Sequence, residues 1–175
     1  MLIEIDGKRP RVAPGAFVAP TATLIGDVEV AERASIWFGA VLRGDVGKIT
    51  IGPGTSIQDN AVIHADRGKE VNVEGDVVVA HGVVLHSCTI KRGAVIGIRS
   101  VVLDEAVVGE EAMIGAGSVV KPGAQIPPRH LATGVPARVK KELGGDSLWW
   151  VQQGAHDYQQ ITETYLRQGI DKLGR

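Results

Sequence analysis

The sequence is poor in aromatic residues and contains a single cysteine. Aromatic side chains make up 4% of the 175 residues, and Cys88 has no second thiol to pair with. A chain without an internal disulfide is typical of a reducing compartment, so the predicted location is the cytoplasm. With so few large rings, the core must be built from aliphatic and small residues. The 23 glycines are suited to the tight corners of such a fold.

Long apolar runs and clusters of basic residues are also missing. No segment reaches the roughly 20 apolar residues that cross a bilayer. Residues 1–7 have neither the basic start nor the apolar centre of a signal peptide. The net charge is −1, and no patch of lysine and arginine stands out. These absences predict a protein with no membrane partner and no nucleic-acid partner.

An aliphatic residue instead recurs every six positions from residue 12 to about residue 131, with a small residue four places after many of them. A period of six fits neither the 3.6 of a helix nor the alternation of a simple strand. It fits a short strand followed by a corner. Three such units close one triangular coil, and stacked coils pair as parallel strands about 4.8 Å apart. The runs are Val12, Val18, Leu24, Val30, Ile36, Leu42; Ile51, Ile57, Ile63; Val73, Val79, Leu85; and Ile90, Ile96, Val102, Val108, Ile114, Val120, Ile126.

This pattern is the hexapeptide repeat, [LIV]-G-x-x-[AS]-x, and it resembles the left-handed β-helix superfamily. The predicted fold is therefore all-β, a left-handed parallel β-helix with a C-terminal α-helix; the handedness is implied by the resemblance alone. We predict a β-helix domain over residues 1–138 and a helical segment over residues 139–175. Residues 139–144 are expected to form a short turn or helix. Asp146 or Ser147 is expected to cap the final helix, whose continuity Gly154 weakens.

Three places break the period. Leu42 to Ile51 is nine residues, Ile63 to Val73 is ten, and Leu85 to Ile90 is five. Counting each break as one face with extra or missing residues puts His64 and His86 on the same face, one coil apart. The unusual polar residues cluster around these breaks: Arg43, Asp45, Gln58, Asp59, His64, His81 and His86.

The register suggests how three histidines meet. A coil spacing of about 4.8 Å lets His64 and His86 share an ion at about 2.0–2.1 Å from each nitrogen. His81 falls on the preceding face, so we expect it to arrive from a neighbouring subunit in a closed homotrimer. Gln58 and Asp59 fall on the face of His81.

Arg43 and Asp45 fall on the face of His64 and His86, one coil lower. If the two faces meet between subunits, Arg43 is placed to pair with Asp59 across the interface, and a desolvated arginine–carboxylate pair is directional.

Three neutral imidazoles leave a fourth position on a zinc ion for water, which is the catalytic type of site. Such an ion lowers the pKa of its water to about 7. Asp66 and Glu70 lie in the nearby insertion and are possible further ligands. Cys88, two residues past His86, is expected to be a small buried hydrophobe. Asp104 is expected to be a solvated corner residue.

The residues around the breaks resemble the γ-class carbonic anhydrases and their close relatives. The resemblance rests on Leu42-Arg43-Gly44-Asp45, Ser56-Ile57-Gln58-Asp59-Asn60, Val62-Ile63-His64 and His81-Gly82-Val83-Val84-Leu85-His86. It implies a homotrimer with zinc, or iron or cobalt, held by His64 and His86 of one subunit and His81 of the next. It also implies that Arg43, Asp45 and Asp59 shape the interface and the bicarbonate site. Gln58 would hold the metal-bound water, and Tyr158 would reach the site as a tyrosine does in some relatives.

The implied activity is that of a lyase, the reversible hydration of carbon dioxide to bicarbonate by zinc-bound hydroxide. The sequence departs from the founding members at the acidic proton-shuttle positions, where Val46 and the short loop 65–70 stand instead. Asp66 or Glu70 is a possible substitute. The alternatives are a hexapeptide-repeat acyltransferase, a zinc thioesterase and a non-catalytic zinc-binding trimer.

Overall fold

The structure is a computed structural model of the chain and describes residues 1–173. Within that range it contains short strands, one long helix, α1 (Asp146–Arg167), and a 3₁₀ helix at Ile170–Lys172. The strands are β1 (Leu2–Ile3), β2 (Arg11–Val12), β3 (Phe17–Val18), β4 (Thr23–Val30), β5 (Ser35–Ile36), β6 (Val41–Ile51), β7 (Ser56–Ile57), β8 (Val62–His64), β9 (Glu70–Val73), β10 (Val78–Val79), β11 (Val84–His86), β12 (Thr89–Ile90), β13 (Val95–Ile96), β14 (Val101–Val102), β15 (Val107–Val108), β16 (Met113–Ile114), β17 (Val119–Val120), β18 (Gln125–Ile126), β19 (His130–Gly134) and β20 (Ala137–Glu142).

The strands stack in parallel into a solenoid of about seven coils with three faces. Face 1 carries the inward ladder Leu24, Leu42, Ile63, Leu85, Val102, Val120. Face 2 carries Val12, Val30, Ile51, Val73, Ile90, Val108, Ile126. Face 3 carries Val18, Ile36, Ile57, Val79, Ile96, Ile114, Ala132.

The inward ladders form the core. Leu42, Ile63 and Leu85 are 0% exposed, and so are the small residues Ala40 and Ala61 that fill the insides of the corners. Burying an aliphatic side chain of this size contributes about 1.5–3 kcal/mol. Since each coil contacts only its neighbours, stability accumulates along the stack. The prediction of a parallel β-helix built from hexapeptide repeats, followed by a helix, is confirmed.

The breaks in the period lie at the corner between faces 1 and 2. β6 runs through this corner without interruption, and its extra residues form an irregularity opposite Gly26–Val28 of β4. The second insertion is the loop 65–69 between β8 and β9. The third break, Leu85 to Ile90, is one residue short of the period. The chain makes the tighter turn there at Ser87, whose φ of 44° lies in the left-handed region. Inserted residues therefore leave the inward ladders in register and enlarge only this corner.

The exit from the solenoid differs from the expectation. Residues 137–142 form β20, which pairs antiparallel with β19; the prediction of a turn or helix over residues 139–144 was wrong. The free edge of the last coil needs partners for its backbone groups, and β20 supplies them. β20 crosses position 138, and the division of the chain at that position stays a prediction. The last two residues of the segment 139–175 lie outside the described residues.

Helix α1 packs along face 3. Val151 and Ala155 are buried against Val78 and Val95, and the helix continues through Gly154. A Cβ at Gly154 would lie 3.2 Å from ring atoms of Trp150 and 3.5 Å from Val78, so the glycine allows close approach of helix and sheet.

The expected side-chain cap of α1 was wrong. Gly145 occupies the N-cap position, where no side chain caps the helix, and Asp146 lies in the first turn. Within residues 1–173, no helix is long and apolar enough to span a lipid bilayer.

Candidate metal centre

His64 and His86 lie side by side on face 1. His64 ends β8 and His86 ends β11, and the two residues are paired in register on neighbouring coils. Nδ1 of His64 is 3.1 Å from Nε2 of His86. The side chains are 16% and 27% exposed, so a ligand between them would remain accessible from outside.

Two carboxylates hold the other ring nitrogens. Nε2 of His64 lies 3.2 Å from Oδ1 of Asp45, and Nδ1 of His86 lies 3.0 Å from Oδ2 of Asp104. A carboxylate only accepts hydrogen bonds, so each of these ring nitrogens carries the proton. With both imidazoles neutral in these tautomers, the two nitrogens that face each other would each present a lone pair, and a proton or a metal ion between them would stabilise the pair.

The separation of these nitrogens fits a metal ion. Nitrogens bound at about 2.0–2.1 Å to one tetrahedral zinc ion lie about 3.3–3.4 Å apart, close to the 3.1 Å observed between His64 and His86. Hydrogen bonds from ligand imidazoles to carboxylates are the usual outer shell of such sites, because they fix the tautomer and the ring orientation. The donor set therefore suits a divalent cation.

Both orienting carboxylates are held in their ionised form. Burial raises the pKa of Asp45, but the hydrogen bond and charge of Arg43 outweigh it, and the pKa falls below its ordinary value. Nη1 of Arg43 lies 2.6 Å from Oδ2 of Asp45. For Asp104 the hydrogen bond from His86 is the largest influence and lowers the pKa, with a further contribution from Lys69.

Asp104 was missed at the sequence level, since it was expected to be a solvated corner residue. Its side chain is 26% exposed and bonds to His86. Val102 pairs in register with Leu85, so extending the ladder places Leu103 level with His86 and Asp104 one position further along, at the corner next to His86.

His81 lies elsewhere, at the corner between faces 3 and 1. It comes just after β10, and its Nδ1 is 2.9 Å from Oδ2 of Asp59, one coil below. The His81 side chain is 48% exposed. Gln58, next to Asp59, is 2% exposed, and its backbone N–H donates to the carbonyl of Val79 at 2.9 Å. The role of these residues as ligand and substrate groups stays a prediction.

Tyr158 belongs to the same side of the molecule as His81. Its ring meets Trp37 edge on, with centroids 5.9 Å apart, where α1 covers face 3. Burial, together with the negative charge of Asp59, raises the pKa of the Tyr158 hydroxyl above its ordinary value. Within one chain the candidate residues thus form two groups, one on face 1 and one around the corner on face 3.

Two other possible ligands are now placed. Asp66, His64 and His86 each offer one donor atom within 4.8 Å of the others, and His81 is not part of this group among the described residues. Cys88 is 2% exposed in the core, and burial raises the pKa of its thiol to about 12. Cys88 is therefore an uncharged core residue, as expected.

Comparisons with known proteins agree on the fold and on the relatives. The family model described as bacterial transferase hexapeptide (six repeats) matches residues 87–122. A carbonic anhydrase from Geobacillus kaustophilus is 42% identical over 94% of this chain and 91% of its own length. The mitochondrial gamma carbonic anhydrase 2 of Arabidopsis thaliana is 36% identical over 94% of this chain and 61% of its own length.

Solved structures include a hexapeptide transferase family protein from Anaplasma phagocytophilum. It superposes with a TM-score of 0.91 at 37% identity, covering 94% of this chain and 98% of the other.

Proposed function

The chain belongs to the family of γ-class carbonic anhydrases and their relatives, and we propose that it catalyses the metal-dependent, reversible hydration of carbon dioxide to bicarbonate. The observation that carries the proposal is the pair of ring nitrogens on His64 and His86. They face each other at 3.1 Å, while the other nitrogen of each ring lies within hydrogen-bond distance of Asp45 or Asp104. An arrangement of this kind is stabilised by a cation between the rings.

The chemistry that a bound divalent ion supplies here is the activation of water near neutral pH, since coordination lowers the pKa of water to about 7. Zinc is the proposed ion, with iron and cobalt as alternatives. His64 and His86 hold it with neutral imidazoles. Asp45 and Asp104 keep the two rings in the tautomers that point a lone pair at the ion.

The third ligand is proposed to be His81 of a neighbouring subunit. Its Nδ1 lies 2.9 Å from Oδ2 of Asp59, so Nε2 is the ring nitrogen proposed to bind the ion. His81 is half exposed and lies around a corner from the other two histidines. A closed trimer would bring it to the His64–His86 pair of the next chain.

The outer surface of face 1 supports such an interface. Beside the histidines runs a column of outward valines, paired in register from coil to coil: Val41, Val62, Val84, Val101 and Val119. Val62 is 42% exposed in the single chain. The other four valines are partly buried, and a contiguous apolar column that reaches the surface is typical of a face that a partner covers. The valine column would be buried in the trimer.

The substrate groups are proposed from charge and position. Arg43 pairs in register with His64 and is 46% exposed, so its guanidinium is available to an anionic bicarbonate while it also bonds Asp45. Its five donors allow both contacts. Gln58 lies next to Asp59 on the His81 side, and its side-chain amide is proposed to orient water. Tyr158 is proposed to border the site behind Asp59.

The match to the transferase hexapeptide family model does not by itself favour acyl transfer. The matched repeats, residues 87–122, build the later coils and contain none of the three histidines. They therefore support the fold rather than a reaction.

Stopped-flow measurement of carbon dioxide hydration tests the proposal, using protein loaded with zinc and, in parallel, with iron under anaerobic conditions. We expect activity that is lost on chelation and lost in His64→Ala and His86→Ala. His156→Ala, an exposed histidine on α1, is the matched control and should retain activity. Fully loaded protein without hydration activity would contradict the proposal, and a panel of thioesters would then test the hydrolase alternative.

A further inference from the structure

We propose that Asp66 is a third protein ligand from the same chain as His64 and His86. Each chain would then carry its own His–Asp–His donor set, to which the His81 of a neighbour is added on assembly. This inference rests on the proposed metal site. It goes beyond that site because it concerns a residue of the short loop 65–69 and makes ion binding possible before assembly.

The geometry of the donor atoms carries the inference. Oδ1 of Asp66 lies 3.6 Å from Nε2 of His86, the same nitrogen that faces His64. Two donors on one tetrahedral zinc ion are about 3.3–3.5 Å apart. The separations His64–His86 of 3.1 Å and His86–Asp66 of 3.6 Å fall on either side of that value. All three donor atoms lie within 4.8 Å of one another.

The backbone of Asp66 is fixed at both ends of the residue. Its N–H donates to Oγ of Ser87 across 3.0 Å, and Ser87 is 4% exposed. Its carbonyl accepts from the N–H of Lys69 at 3.0 Å. Gly47 passes beneath so closely that a Cβ there would lie 2.5 Å from the Asp66 carbonyl oxygen. Because the backbone of Asp66 is already fixed, binding an ion would restrict only the rotation of its side chain.

The charge of Asp66 is not neutralised by a basic side chain. Lys69, the nearest lysine in the loop, instead bonds Asp104 and Glu105. Within residues 1–173, the one ionisable nitrogen within 4.0 Å of the Asp66 carboxylate belongs to His86. Two imidazoles with one carboxylate form a donor set that binds Zn²⁺ and Fe²⁺.

Zinc binding by competition with a chromophoric chelator tests the inference, with wild type, Asp66→Asn, His81→Ala and the double variant. We expect Asp66→Asn to weaken zinc binding by about tenfold or more. His81→Ala should still bind one ion per chain, whereas the double variant should lose binding at micromolar zinc. Glu110→Gln, which changes an exposed acidic residue away from this corner, is the control and should bind as wild type does.

Cobalt substitution gives a second readout, because the visible spectrum of Co²⁺ reports its ligands. Asp66→Asn should change that spectrum. The inference would be overturned if the spectrum were unchanged and if Asp66→Asn left zinc affinity unchanged both in wild type and in His81→Ala. Failure of the proposed function looks different. In that case zinc-loaded wild type would show no carbon dioxide hydration, while Asp66→Asn would still weaken zinc binding.

Discussion

Asp104 and His86 are joined across one coil step, with Oδ2 of Asp104 3.0 Å from Nδ1 of His86. The carboxylate turns the ring so that Nε2 points at His64. Lys69, 3.2 Å from the other oxygen, fixes the carboxylate in turn. The orientation of the candidate metal centre thus depends on a residue one coil beyond the histidines themselves.

Asp104→Asn should weaken zinc binding by about 10–100-fold, the usual cost of losing an outer-shell partner. The amide removes the charge and no longer favours the required tautomer of His86. Chelator competition measures the change. Glu105→Gln is a matched control, since Glu105 also bonds Lys69 but is 72% exposed. Equal affinity of Asp104→Asn and wild type would show that His86 needs no orienting carboxylate.

His81→Ala should lower zinc affinity by at least about tenfold without unfolding the coil, because His81 is half exposed and contributes nothing to the inward ladders. Metal affinity and far-ultraviolet circular dichroism, measured on the same sample, check both parts. His156→Ala serves as the control. If His81→Ala binds zinc as tightly as wild type, His81 is not a ligand.

Arg43→Ala should weaken association of the subunits, since Arg43 is the exposed charge proposed to meet Asp59 of a neighbour. Analytical ultracentrifugation at nanomolar protein would detect smaller species for the variant. Arg11→Ala removes a more exposed arginine from face 2, where Arg11 bonds Glu29, and should leave assembly unchanged. A trimer equally stable in both variants would argue against the proposed pairing.

Glu74→Gln should lower thermal stability at neutral pH and have no effect in acid. The hydrogen bond from Lys91 lowers the pKa of Glu74 below its ordinary value of 4.5, so the ionised form is favoured in the folded state. Its stabilisation is present above pH 4.5 and is lost as the pH falls through the lowered folded pKa. The pair is partly exposed, so the effect is at most about 1 kcal/mol.

Melting temperatures of wild type and Glu74→Gln from pH 3 to pH 8 would follow this loss. Glu110→Gln is the control, because Glu110 is exposed and makes no ion pair within residues 1–173. A constant difference across the pH range would mean that the Glu74 charge is not the cause.

The sequence predicted the solenoid well because its period is imposed by packing. Every coil must bury an aliphatic residue at the same place, so Val12 to Ile126 repeat along the chain. The same register brought His64 and His86 together. β20 was missed because its residues, such as Arg138 and Lys140, face solvent and carry no period; its strand form comes from the free edge of β19.

The remaining part of the site could not be derived from one chain's pattern. Arg43 was expected to pair with Asp59, and in the single chain it bonds Asp45. A contact between subunits depends on the surfaces that meet, and repeat counting places residues on faces without showing which faces touch.

The placement of His64 and His86 on consecutive coils has a mechanical consequence. Neighbouring coils are otherwise joined by backbone hydrogen bonds and apolar contacts, which can open one level at a time. An ion bound by both histidines would cross-link the coil that contains β8 to the coil that contains β11. Removing the ion should make the solenoid open preferentially between these two coils. Protease digestion of the metal-free protein should then cut between β8 and β11 and yield two fragments.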